Sequence, residues 1–116
     1  MKHINTWAMS NIYPDNSGIP HVVWISIGLL NGGKRSPHSP RIWLTSKSGS
    51  NFNVTVTIED EPKLIHGNLD TVTFDKVKQF ITLNRDVLIA HWNDETDSYK
   101  ALTQIKSINS QHMSGT

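Results

Sequence analysis

The segment whose side chains most invite a chemical reading runs from Gly32 to Arg41, GGKRSPHSPR. Lys34, Arg35, His38 and Arg41 set cations among serines, glycines and prolines, a composition suited to phosphate contacts. Trp43 just beyond offers a ring on which a base can stack. The spacing is not that of a phosphate-binding loop. The plainer alternative is an exposed hairpin connection whose charges keep it solvated. These five residues are the candidate nucleic-acid or partner contacts.

Other combinations carry less. His91 and Glu95 lie one helical turn apart and supply half of a metal site or an acid–base pair, but a zinc site needs three or more ligands. The six histidines are otherwise scattered singly. Carboxylates cluster at Glu59-Asp60-Glu61 and at Asp94-Glu95-Asp97, both at turns, where Asp97 is accounted for by the start of a helix. No Gly-x-Ser-x-Gly elbow is present. The sequence therefore assigns no catalytic residue, no metal ligand and no cofactor.

The elements that must position these groups show in the side-chain rhythm. A short strand is expected near Ile4–Met9, followed by a turn-rich loop through Pro14–Pro20. His21–Leu30 is dense in Val, Ile and Trp and reads as a strand covered on both faces. Arg41–Ser46 is a strand around Ile42, Trp43 and Leu44. Phe52–Glu59 alternates, with Phe52, Val54, Val56 and Ile58 on one side. Lys63–His66 gives a fourth segment, ended by Gly67-Asn68.

The period then changes. Val77, Phe80, Ile81, Leu88 and Trp92 recur at three- and four-residue spacing, with Asn84 and His91 on the same stripe. This predicts one helix over Phe74–Trp92, with Thr73 as N-cap. A second helix follows, capped by Thr96, with Tyr99, Leu102 and Ile105 as its apolar face. The chain from Ser107 is polar and reads as a disordered tail, leaving residues 1–106 as a single domain.

Composition bounds the rest. A chain of 116 residues fits one domain. At 36% hydrophobic residues, with four Trp, its core must rest on a few large side chains. The net charge of +1 is too small for non-specific attraction to nucleic acid or membrane. It is unevenly spread: residues 1–58 hold five basic residues against Asp15 alone, and residues 59–116 hold six basic against nine acidic. With no cysteine, disulfides and thiolate chemistry are excluded, and a reducing compartment is favoured. The first ten residues lack the apolar core of a signal peptide, so a cytoplasmic location is expected.

The helix also carries a resemblance. Asp75–Trp92, DKVKQFITLNRDVLIAHW, is similar to a pattern in small uncharacterised bacterial domain proteins. In these a short β-meander precedes a helix with Phe-Ile, Asn-Arg, Leu and Trp at the spacing of Phe80-Ile81, Asn84-Arg85, Leu88 and Trp92. Pro20-His21-Val22-Val23, Pro40-Arg41-Ile42 and the Gly67-Asn68 turn look similar too. Some such groups are encoded beside toxin–antitoxin-like partners. The resemblance implies no established activity and carries over no catalytic residue. It draws attention to Asn84 and Arg85; the Asn84 amide, if buried, must find partners, most simply the backbone of a strand or loop, the alternative being a binding role.

The expected fold is α+β: an antiparallel sheet of three to five strands, a long helix packed across one face and a shorter C-terminal helix. The expected function is that of a non-enzymatic protein-interaction module, a small bacterial or phage accessory protein of toxin–antitoxin-like or inhibitor type. The alternative is a nucleic-acid-binding or toxin-like ribonuclease domain acting through loop 34–41.

Overall fold

The computed structural model describes residues 10–28, 39–45 and 52–109, the side chains of Phe52 and Asn53 excepted. The expected strand at Ile4–Met9, and Trp7 within it, lies outside them. The elements in chain order are β1 (Ser10–Ile12), α1 (Pro14–Ser17), β2 (Val22–Ile25), β3 (Arg41–Thr45), β4 (Phe52–Thr57), β5 (Leu64–His66), α2 (Thr71–Trp92) and α3 (Ser98–Gln104). The five strands form one antiparallel sheet whose spatial order, β1-β2-β3-β4-β5, is the order of the chain. The α+β architecture is the expected one.

Register explains how the core forms. Val23 pairs with Leu44 and Leu44 with Val54, while Ile42 pairs with Val56. Directly paired residues project from the same face of a sheet, so these side chains make one continuous aliphatic surface. Val77, Phe80, Ile81 and Leu88 of α2 join it in a single buried cluster. The 3.6-residue stripe and the twofold strand alternation thus meet face to face.

The opposite face carries the paired Trp24 and Trp43, with Thr55 opposite Trp43 and Thr57 opposite Arg41. It is not a simple solvent face, because Thr45, Thr55 and Thr57 are also buried. Two of these hydroxyls have partners: the Trp24 indole donates to Thr45 Oγ1 at 3.0 Å, and Thr57 Oγ1 accepts from the Lys63 amide at 2.8 Å.

Four expectations are corrected. The loop expected after Tyr13 contains α1, with Pro14 at its first position, where a missing N–H costs nothing. It closes on Gly18 at φ 85, a left-handed conformation. A Cβ there would lie 2.6 Å from Ile108. The long helix starts at Thr71 and is capped by Asp70, which accepts from the Thr73 amide at 3.3 Å; Thr73 is itself a buried residue inside the helix. Asp97, not Thr96, caps α3 by accepting from the Lys100 amide at 2.7 Å. Finally, packing does not end at Lys106: Ile108 belongs to the core cluster, and its amide donates to Ser17 O at 3.0 Å. Residues 110–116 of the expected tail lie outside the described residues.

The Asp70 cap yields a pH prediction. Hydrogen bonding to the Thr73 side chain, then to its backbone, holds the Asp70 carboxyl below its usual pKa of 3.8. A carboxyl lowered on folding adds stability above its unfolded value, and that stability is lost as pH falls through the folded one. In Asp70→Ala the amides of Thr73 and Phe74 should exchange faster at neutral pH. Their protection should also lose its dependence on carboxylate titration, as read by hydrogen exchange.

Candidate functional site

Of the five sequence candidates, Lys34, Arg35 and His38 lie outside the described residues. Arg41 and Trp43 share one face of β3, two residues apart. The Arg41 guanidinium donates to Ser39 O at 3.0 Å and to Ser39 Oγ at 3.4 Å. Partial burial lowers its pKa. Trp43 is half-buried and stacks on Trp92, ring centroids 6.3 Å apart and planes inclined by 29°. The cation is engaged locally and the ring is engaged in packing.

A groove of about 430 Å³ lies between the Asp60–Pro62 turn and the outer face of α2, lined there by Asp75, Lys78 and Thr82. Its charges answer one another. Lys78 pairs with Asp75 at 3.6 Å and sits 5.0 Å from the Phe74 ring centroid, while Arg85 bridges to Asp60 beside it. These exposed pairs contribute little to stability. Among the described residues, no group of three or more His, Asp or Glu is placed to hold a metal ion.

The most distinctive arrangement surrounds α3. The chain leaves α2 through a Schellman closure, in which the Asp94 amide donates to His91 O at 3.1 Å and the Glu95 amide to Ala90 O at 2.8 Å. Asp94 adopts φ 59 at the position where glycine is usual. It is the only residue other than glycine with positive φ among the described residues.

Two polar residues of the α2 stripe then secure the returning segment. His91, fully buried, meets Ser98 Oγ through Nε2 at 3.0 Å. Asn84, also buried, donates to Lys106 O at 2.9 Å and accepts from the Lys106 amide at 2.7 Å. The two anchors are seven residues apart, which corresponds to a rise of about 10 Å along α2. The seven residues of α3 span about the same length, so α3 runs back along α2 with each end held.

This geometry decides which side of α3 faces inward. Ala101 is fully buried and Ile105 packs against the core. Tyr99 and Leu102, expected to face the core, instead point outward, 78% and 39% exposed. Three and four residues apart are the helical neighbours, so these two side chains form one apolar patch. Exposed Asp94, Glu95 and Asp97 precede it in the chain. Ala101 is too small to announce a buried face, so sequence periodicity chose the larger residues and missed this surface. His91 partners Ser98 rather than Glu95.

Comparison of the chain with protein-family models, with curated proteins and with solved structures finds no match. No helix among the described residues is long and apolar enough to cross a membrane.

Proposed function

We propose that this domain is a protein-binding module that presents α3 to a partner carrying an apolar socket rimmed by basic side chains. The observation that carries this reading is the exposed Tyr99–Leu102 pair on a helix anchored at both ends. A rigid aromatic and an aliphatic neighbour bind at low entropic cost when their backbone is already ordered. The preceding carboxylates set the complementary charge of the partner. Asp94 keeps an acidic side chain in a left-handed conformation that costs a non-glycine residue about 1 kcal/mol, which agrees with a role for that charge beyond folding.

Selection of random displayed peptides on the immobilised full chain tests this reading. The expected winners combine Lys or Arg with large apolar residues. Their affinity should fall by roughly tenfold or more in Tyr99→Ala and Leu102→Ala, the scale of a hot-spot truncation, and should weaken with salt. Winners without basic residues, or indifferent to both substitutions, would overturn it. Salt-dependent RNA binding that ignores Tyr99 and Leu102 would favour the nucleic-acid reading, in which Arg41 and Trp43 act with Lys34, Arg35 and His38.

A further inference from the structure

His91 stands where three segments meet. It belongs to the last turn of α2, it touches Ser98 at the first position of α3, and the chain leaving β2 lies against it at Ser26. Its Nε2 bonds the Ser98 hydroxyl, while among the described residues its buried Nδ1 makes no hydrogen bond. A neutral imidazole tolerates that arrangement with one nitrogen bonded. An imidazolium fits it less well, because both nitrogens then become donors and a full charge is buried, which the Ser26 backbone and Asp94 offset only in part.

From this geometry we infer that His91 is an acid-operated latch on α3: the neutral ring holds Ser98 against α2, and protonation releases the N-terminal turn of α3 so that the ring can reach water. This inference rests on the reading of α3 as the presented surface, since release would disorder that surface.

Among the described residues, the groups that face the ring are Ser26 from the β2 exit, Asp94 from the turn closing α2, and Ser98 from α3. Burial lowers the His91 pKa from 6.5, opposed by the Ser26 backbone and by the Asp94 charge. With the folded value depressed, the latch is fully closed above the ordinary histidine range. It weakens as pH falls from there toward the folded value. The Asp97 carboxylate caps α3 separately, accepting from the Lys100 amide.

The experiment uses the full chain without any partner, so its outcome is independent of peptide binding. The His91 ring is titrated by NMR, and amide protection factors of Ala101 and Ile105 are compared with those of Phe80 and Leu88 between pH 7 and pH 5. The expected result is a His91 midpoint below that of an exposed histidine. Protection in α3 should fall by up to about tenfold per pH unit while α2 protection holds, the limit set by one proton. In His91→Gln and His91→Phe this selective loss should vanish. An ordinary midpoint, equal loss in α3 and α2, or the same pH dependence in either variant would overturn the inference. Should both variants fail to fold, the wild-type titration and exchange still decide it.

Discussion

Replacing Trp92 with alanine is expected to lower the free energy of unfolding by about 3–5 kcal/mol, the range for deleting a buried aromatic side chain. The indole is 3% exposed and stacks on Trp43, so its loss opens a cavity that rigid neighbours cannot fill. The backbone is committed at the same point: the Gly28 amide donates to Trp92 O at 2.6 Å. A Cβ on Gly28 would lie 2.3–2.8 Å from three atoms of the indole. Gly28→Ala should therefore destabilise by about 1–3 kcal/mol through overpacking. The two changes must not add. In the Trp92→Ala background the methyl group enters vacated space, and its cost should drop to near zero, a coupling typical of residues in contact. Urea unfolding of the four proteins measures it. Additive losses would mean that the indole does not lie against Gly28.

Asn84→Ala is expected to cost about 2–3 kcal/mol, from net contributions of about 1 kcal/mol per lost hydrogen bond and the exposure of unmatched polar groups. Asn84 donates to Phe80 O at 3.0 Å as well as to Lys106 O, but the Lys106 pair is what ties two segments together. Asn84→Asp keeps the acceptor for the Lys106 amide and loses the donor to its carbonyl, setting a carboxylate against a carbonyl oxygen. At neutral pH it should be at least as harmful as alanine. If Asn84→Ala leaves the unfolding midpoint unchanged, the clasp contributes nothing. By contrast the exposed Arg85–Asp60 bridge, beside Asn84 in sequence, should matter little.

The parts of the architecture that read directly from sequence are those whose burial pattern is carried by large side chains. Val54, Val56 and Ile58 mark β4, and Val77, Phe80, Ile81 and Leu88 mark the inner face of α2. The first turn of α2 was hidden because Val72, which breaks the stripe, is 64% exposed. Asp70 and Thr73 are equally able caps by residue type, and only the direction in which the chain leaves β5 selects between them. The orientation of α3 reversed for a related reason: Tyr99, Leu102 and Ile105 match an inward face as well as Ala101 and Ile105 do. Asn84 and His91 were visible as polar residues on an apolar stripe. Their partners were not, since a backbone at Lys106 and a hydroxyl at Ser98 carry no pattern that points back across the sequence.

The two fixings of α3 make that helix a cassette of set length. Its ends must reach one side chain each, two turns apart on a single rigid rod, so a one-residue insertion or deletion between Ser98 and Ile105 would rotate one end by about 100° and pull it away from its anchor. Substitutions at Tyr99, Leu102 or Thr103 touch neither anchor and alter mainly what the outside world meets. Variation of sequence is cheap there and variation of length is not, so the outward side chains of this segment can be exchanged while the scaffold beneath it stays the same.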